Sequence, residues 1–285
     1  MYANNNTKEL FAMSKNRNSG HAYVIRNFWR LLFVGLPISI LLALFYGLRN
    51  EVKLFKDYFD GQLQMDNYMQ EVMQAFSVTR FADTWWIIII LLVVFVLTMS
   101  LYVCMISKHM KTGEMPLLPL RPAINIAPTM AAYLLAMAGL MEILSLVTVG
   151  VSYLLQDHAA NIHVAIWFTA GLQFLFTLLC SYIFGLLLLA FPIKVTENYS
   201  FNVALSYSAR TMSSHPKFML RQSFVYPIGR VLVIALGVLL PEVVGIVLMV
   251  IFHLYYVMII PAFSYSLYYI HIGGDRRDLT KHLYF

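Results

Sequence analysis

The sequence predicts an all-α polytopic membrane protein with six transmembrane helices, both termini in the cytoplasm and interfacial amphipathic helices. Three observations support this fold class. The 285-residue chain is 60% hydrophobic and only 12% charged, whereas about 25% of residues are charged in soluble domains. Six apolar stretches reach the roughly 17–25 residues that a helix needs to cross the hydrocarbon core. Lys and Arg are concentrated in alternate connections between these stretches.

The six apolar stretches are the predicted spans. They are Leu31–Leu48, Trp85–Ile106, Ile126–Leu155, Val164–Ile193, Phe224–Leu240 and Val243–Ile270. The second is the clearest, because residues 86–97 contain no polar side chain, and a helix of a soluble protein needs a polar face. Strands usually have about 3–10 residues, so stretches of this length favour helices in lipid.

The basic residues predict the orientation of the chain in the membrane. Most of them lie in the N-terminal arm, in the second and fourth connections and in the C-terminal tail. The four on the other side are Arg49, Lys53, Lys56 and Arg80. Cytoplasmic loops carry an excess of Lys and Arg, so both termini are predicted to be cytoplasmic. No basic run is interleaved with aromatic residues outside the spans, which argues against a nucleic-acid partner.

These spans and loops divide the chain into three parts. Residues 1–30 form a cytoplasmic arm with an interfacial helix, 31–270 the six-helix transmembrane domain, and 271–285 a cytoplasmic tail. The external loop 49–84 has apolar residues at helical spacing, which predicts one or two amphipathic helices on the outer surface or capping the bundle. The cytoplasmic loops are 107–125 and 194–223. A tight turn at Pro241-Glu242 predicts that the last two helices are antiparallel.

The fourth connection contains a predicted amphipathic helix over residues 200–212, with Ser200 as its N-cap and a stop at His215-Pro216. This helix follows a span that ends near Phe191-Pro192. In these features the chain resembles six-helix bacterial inner-membrane proteins related to the membrane domain of glycerophosphoryl diester phosphodiesterases. The resemblance implies a location in the bacterial cytoplasmic (inner) membrane. The catalytic barrel that accompanies this domain in some members is absent from the sequence.

The second connection carries a looser resemblance, to the permease subunit of type-2 ABC exporters. Residues 111–122 lie where such permeases contact their ATPase. The acidic residue usual before the Gly-Thr pair is missing, the pair is reversed as Thr112-Gly113, and prolines stand at 116, 119 and 122. The sequence has no G-x-x-x-x-G-K-[ST] phosphate loop. The resemblance therefore implies a separate ATPase as partner, together with a second copy of the chain.

Four polar residues within the spans are the candidate functional residues. They are Glu142, Gln173, Arg230 and His253. A charge at the bilayer centre costs about 2.5–3.5 kcal/mol on insertion scales, so such residues face a cavity or a partner. We hypothesise that Glu142 pairs with Arg230 inside the bundle, near Gln173 or His253. The pair is either a structural clasp between helices or part of a transport or proton-relay path, and the sequence leaves both open.

No catalytic constellation, cofactor motif or metal site can be assembled from the sequence, so an enzyme is not expected. Asp157, His158 and His163 share a short loop, but such a group is by itself a weak metal signal. The favoured function is a multi-pass membrane protein that binds, moves or scaffolds lipid-like molecules or membrane partners, including further copies of itself. The alternative is the permease subunit of an ABC-type exporter that works with a separate ATPase.

Overall fold

The fold was obtained as a computed structural model, which describes residues 20–45, 47–77, 85–158, 161–272 and 276–280. These residues form helices without any strand. Six of the helices are long and apolar enough to cross a membrane. The predicted all-α, six-helix membrane class is therefore confirmed. The side of the membrane on which each terminus lies stays a prediction.

The helices of the described ranges are numbered in chain order. They are α1 Gly20–Arg26, α2 Phe28–Phe45, α3 Leu48–Phe59, α4 Met65–Phe76, α5 Trp85–Thr112, α6 Leu120–His158, α7 Ile162–Leu186, α8 Ala190–Glu197, α9 Phe201–Ser213, α10 Pro216–Leu239, α11 Glu242–Ile272 and α12 Arg277–Thr280. Of the predicted N-terminal arm, residues 1–19 lie outside the described residues. Helix α9 agrees with the helix predicted over 200–212, and α10 and α11 meet at the predicted turn.

The six spans form a closed ring. Helix α2 packs against α5 and α11, α5 against α6, α6 against α7, α7 against α10, and α10 against α11. Helices α5 and α11 also contact each other. The largest buried apolar cluster includes Tyr102 of α5, Met130 of α6 and Tyr265 of α11, each at most 1% exposed. The ring is therefore filled by side chains where these helices meet.

Helices α3 and α4 form a hairpin that fills one end of the ring. The predicted loop 49–84 thus contains two amphipathic helices that cap the bundle. They are joined by a turn in which Gly61 has a φ of 72°, a conformation that glycine adopts without steric cost. Helix α3 packs on α10 and α11, and α4 packs on α6. The approach of α3 to α10 is close, since a Cβ at Gly237 would lie 2.9 Å from a methyl group of Val52.

The predicted fourth span, Val164–Ile193, is broken in the structure. Helix α7 ends at Leu186, and a separate helix α8 begins at Ala190 and contacts α5 and α11. Pro192 has no N–H to donate to the carbonyl of Leu188, four residues earlier. That carbonyl instead accepts a hydrogen bond from Ser264 Oγ at 2.5 Å. Proline therefore explains the break. The carbonyl that loses its helical hydrogen bond is satisfied by a side chain of α11, as lipid surroundings require.

A serine of α9 satisfies two further backbone groups at this break. Ser208 Oγ accepts from the N–H of Leu189 at 3.0 Å and donates to the carbonyl of Leu186 at 2.8 Å. Several helices also extend beyond their predicted bounds. Helix α10 begins at Pro216 rather than Phe224, and α5 and α6 leave only residues 113–119 as an irregular connection between them. Much of the two predicted cytoplasmic loops is therefore helical.

Candidate functional site

A cavity of about 50 Å³ lies between the α3–α4 hairpin and three spans of the ring. We call it the polar cavity. Its lining comes from α6, α7, α10 and the hairpin with the turn before it: Gly47, Glu51, Ala75, Phe76, Met141, Glu142, Ser145, Gln173 and Arg230. A cavity of this size, lined by polar groups, has room for a few water molecules.

The central contact of the polar cavity is an ion pair between Glu51 of α3 and Arg230 of α10. Arg230 Nε donates to Glu51 Oε2 at 3.0 Å, and Arg230 Nη2 donates to Glu51 Oε1. The two side chains are only 11% and 4% exposed, in the order Arg230 and Glu51. Arg230 Nη1 donates to Thr177 Oγ1 of α7 at 2.6 Å. The planar guanidinium thus binds the carboxylate of Glu51 through two donors. Its third donor binds Thr177 and so fixes the guanidinium to α7.

Polar side chains continue from this ion pair along the interface between α6 and α7. Thr169, Gln173 and Thr177 are spaced by four residues and share one face of α7. Thr148 Oγ1 donates to Gln173 Oε1 at 3.0 Å, and Ser152 Oγ lies 2.7 Å from Thr169 Oγ1. All five side chains are at most 6% exposed. We call these five residues the polar seam. They satisfy one another, so the seam can lie inside an otherwise apolar bundle.

The hairpin docks on the far end of the polar seam. Tyr68 OH of α4 lies 2.5 Å from Thr169 Oγ1 and donates to the carbonyl of Ala165 at 3.1 Å. Apolar contacts flank these bonds, because Leu54 and Val72 of the hairpin pack with Ile166 of α7. The hairpin is thus attached to the ring by polar contacts surrounded by apolar packing.

The structure brings three of the four predicted candidate residues to one cavity. Glu142, Gln173 and Arg230 line the polar cavity. His253 of α11 is 5% exposed and lies within electrostatic range of Arg230. The ion pair that the structure shows for Arg230 is with Glu51, a residue that the hypothesis did not include. Glu142 lines the same cavity and accepts a hydrogen bond from Ser77 Oγ at 3.4 Å.

Glu51 was not among the predicted candidate residues, because it lies in the predicted external loop 49–84 and not in a predicted span. A signal was present, since Leu48, Glu51, Val52 and Phe55 share one face of an amphipathic helix. A carboxylate within an apolar face points to a partner in the structure on which that face docks. The partner is 179 residues away in the chain, and helical spacing says nothing about it.

A second cavity, of about 30 Å³, lies in the middle of the bundle at the break between α7 and α8. We call it the apolar cavity. Its lining is mostly aliphatic and aromatic, and three of the residues carry a hydroxyl group. The lining residues are Met99, Val103, Met130, Tyr133, Leu134, Phe184, Leu187, Leu188, Phe191, Ile260, Pro261, Ser264 and Tyr265. Helix α6 contributes to both cavities. Leu134 lines the apolar cavity and Met141 the polar cavity. The two residues are seven positions apart, which is about 10 Å along a helix.

The described residues were also compared with the ligand sets of metal sites. No group of three His, Cys, Asp or Glu side chains lies together there as the ligands of an ion would. Of the polar loop noted in the sequence, His163 Nδ1 lies 2.6 Å from Tyr58 OH. The side chains of Asp157 and His158 lie outside the described residues.

No family model matches the chain, and comparisons with curated proteins and with solved structures find no similar protein. The two family resemblances of the sequence therefore stay predictions. The six spans are those of a multi-pass membrane protein.

Proposed function

We propose that this chain binds a lipid-like or amphipathic molecule within its ring of spans and moves it in the membrane, without catalytic chemistry of its own. One observation supports the proposal: a cavity lined by two glutamates and an arginine lies inside a bundle of apolar helices. A charged clasp that only joins helices does not need open space beside it. A binding site does.

The second cavity extends this argument. The polar cavity and the apolar cavity lie along the same helix, α6, about 10 Å apart on its axis. A polar site followed by an apolar site along the membrane normal suits a molecule with a polar head and an apolar tail. Both cavities are small, so such a molecule enters only when the α3–α4 hairpin or the α7–α8 break moves.

The proposed location is the cytoplasmic membrane of a bacterium, with both termini in the cytoplasm. The alternating basic connections support this orientation. It places the α3–α4 hairpin and the polar cavity towards the outer face of the membrane. The end formed by α1, α8, α9 and α12 then faces the cytoplasm.

The alternative function, the permease of an ABC-type exporter, has no specific structural observation in its favour. Residues 113–119, where an ATPase contact is expected, form an irregular connection between α5 and α6. Co-purification separates the two functions. A stoichiometric ATPase bound to the purified chain would favour the exporter, and a bound amphiphile without a protein partner favours the proposed function.

The direct test is native mass spectrometry of the protein purified in mild detergent. We expect one amphiphile to remain bound to the wild-type chain. Ser145→Phe fills the polar cavity, because Ser145 lines it and is 6% exposed, and should release that molecule. The matched control is Leu146→Phe, one residue along α6, where the side chain is 48% exposed on the outer surface. The proposal fails if the wild type binds no amphiphile, or if both variants retain it equally.

A further inference from the structure

We infer that the lipid-facing side of α10 binds one anionic phospholipid of the surrounding bilayer. The lipid phosphate lies at two basic residues, and an acyl chain follows the aliphatic residues after them. This surface is separate from the two cavities, so the inference goes beyond the proposed function and does not depend on it. We call the surface the α10 stripe, and its members are Lys217, Arg221, Val225, Ile228 and Leu232.

The α10 stripe is one continuous face of a single helix. Its members follow one another at intervals of three or four residues, which places them one above the other on an α-helix. Lys217 and Arg221 are exposed, and the three aliphatic members are between 44% and 57% exposed. Helix α10 is long and apolar enough to cross a membrane. An aliphatic face that the protein leaves uncovered on such a helix lies against lipid.

The depth of the two basic residues matches the head-group layer of the bilayer. The predicted span begins at Phe224, three residues after Arg221 and seven after Lys217. At the rise of an α-helix, the two Cα atoms lie about 5 and 10 Å outside the hydrocarbon core. The polar head-group region extends about 5–7 Å beyond that core on each side. Both long side chains therefore reach the layer that holds the lipid phosphates.

The aliphatic part of the stripe has the length of one leaflet. Half of the hydrocarbon core is about 15 Å thick, which corresponds to about ten residues of helix. Leu232 is eleven residues after Arg221. Val225, Ile228 and Leu232 therefore lie beside an acyl chain from just below its head group to its end. An anion with an apolar tail fits the whole stripe, whereas a free phosphate would contact only the two basic residues.

A second pair of basic residues lacks such a stripe. Lys108 and Lys111 are exposed near the end of α5, and both lie in the other predicted cytoplasmic loop, so they are predicted to face the same leaflet. One turn deeper, Cys104 and Met105 are 6% and 1% exposed. The surface directly below these two lysines is thus closed by packing against the protein. This pair provides a control with the same charge as Lys217 and Arg221.

The test is a titration of the purified protein in detergent, measured by native mass spectrometry. The probes are phosphatidylglycerol and phosphatidylcholine with identical acyl chains. We expect the wild type to bind phosphatidylglycerol in preference to phosphatidylcholine. The double variant Lys217→Gln with Arg221→Gln should bind phosphatidylglycerol about tenfold more weakly, equivalent to about 1.4 kcal/mol. The reason is that basic residues near the head groups attract anionic lipid.

The matched control is the double variant Lys108→Gln with Lys111→Gln. It changes the charge of the protein by the same amount and should leave the affinity for phosphatidylglycerol unchanged. Equal weakening by the two double variants would show a general effect of charge and would overturn the inference. Equal binding of the two lipids by the wild type, or undiminished binding by Lys217→Gln with Arg221→Gln, overturns it as well.

A measurement on the wild type keeps the test valid if the double variant does not fold. Hydrogen exchange of residues 216–223, the first two turns of α10, should become slower with phosphatidylglycerol and stay unchanged with phosphatidylcholine. Unchanged exchange with both lipids overturns the site. Inorganic phosphate that slows this exchange as much as phosphatidylglycerol would overturn a lipid as the ligand.

The same titration of Ser145→Phe separates this inference from the proposed function. Ser145→Phe fills the polar cavity and leaves the α10 stripe unchanged, so the preference for phosphatidylglycerol should persist. Loss of this preference would place the anionic lipid in the polar cavity and overturn the α10 stripe. A persistent preference, in a protein whose wild type carries no amphiphile after purification, would support the α10 stripe and contradict the proposed function.

Discussion

Two buried pairs of arginine and carboxylate lie at opposite ends of the bundle, and they are built differently. Arg230 and Glu51 are 179 residues apart, join a ring helix to the hairpin and line a cavity. Arg276 and Asp278 are two residues apart, next to and within α12. Both pairs are bidentate and almost fully buried. The comparison separates a pair that lines a cavity from a pair that fastens α12 to the helices around it.

The Arg276 pair is packed by neighbours from three helices. Arg276 Nε and Nη2 donate to Asp278 at 3.1 and 2.8 Å, and Nη1 donates to Ser266 Oγ of α11 at 3.2 Å. The guanidinium lies 5.8 Å from the centre of the Tyr23 ring of α1. Tyr23 OH in turn lies 2.9 Å from His109 Nδ1 of α5. These contacts tie α1 and α12 to the ring.

Tyr23 remains a neutral hydrogen-bonding group in this cluster. Burial raises the pKa of its phenol well above the ordinary value, and the nearby Asp278 adds to the shift. The neutral ring stacks on the arginine, and its hydroxyl bonds to the histidine. The cluster therefore works as a clasp with every group packed, whereas the Glu51 pair has open space at its side.

The largest effect is expected for Arg230→Ala. It leaves Glu51 buried without its counter-ion, so the free energy of unfolding should fall by about 3–5 kcal/mol. Thermal unfolding of the purified protein in detergent measures this. The control is Arg49→Ala, whose partner Glu242 is 67% exposed and whose own side chain is 45% exposed. Surface pairs contribute about 0–1 kcal/mol. Equal losses in the two variants would contradict a special role for Arg230.

A smaller loss is expected for Arg276→Ala, about 1.5–3 kcal/mol, because Asp278 keeps a second cation, Arg26, whose Nη2 lies 4.0 Å from Asp278 Oδ2. Thermal unfolding should show the loss, while the amphiphile seen by native mass spectrometry should stay bound. Arg277→Ala, at the exposed neighbouring position, serves as control and should change neither. Loss of the amphiphile in Arg276→Ala would remove the distinction between the two pairs.

Gly20→Ala tests the clasp from the side of α1. A Cβ at Gly20 would lie 2.6 Å from the Cα of Phe263 in α11, which is backbone and cannot rotate away. The clash should cost about 1–2 kcal/mol, in the range of overpacking, and should speed hydrogen exchange in α1. Gly139→Ala is the control, because nothing lies within 4 Å of a Cβ there. Unchanged exchange of α1 in Gly20→Ala would mean that α1 is not docked as the structure has it.

The smallest effect is expected for Tyr68→Phe, which removes the hydroxyl that joins the hairpin to the polar seam. The loss should be about 0.5–1.5 kcal/mol, typical of one buried hydrogen bond. Hydrogen exchange of α4 measures it, since opening of the hairpin should become more frequent. Tyr58→Phe removes an exposed bond to His163 and should have less effect. The reverse order would show that the seam does not hold the hairpin.

Local properties of the chain could be predicted from its sequence. Helix α9 covers 201–213 against the predicted 200–212, because its apolar spacing and the following proline are local features. The fourth span was predicted at the right place, but its break between Leu186 and Ala190 was not, since hydropathy averages over the three residues at which Pro192 breaks the helix. Glu142, Gln173 and Arg230, predicted as polar residues within the spans, line one cavity in the structure. Their arrangement, and the contribution of Glu51 to the site, could not be predicted from the spacing of residues within one helix.

Composition and periodicity by themselves determined that the chain is a bundle of six membrane-spanning helices, because the solvent preference of each segment is summed over its own residues. Only the tertiary structure decided that a loop helix enters the ring and supplies the carboxylate for Arg230. The physical reason is distance along the chain. An ion pair across 179 residues forms when two docked surfaces bring its members together. The residues around Glu51 do not indicate the surface that carries Arg230, and the residues around Arg230 do not indicate the surface that carries Glu51.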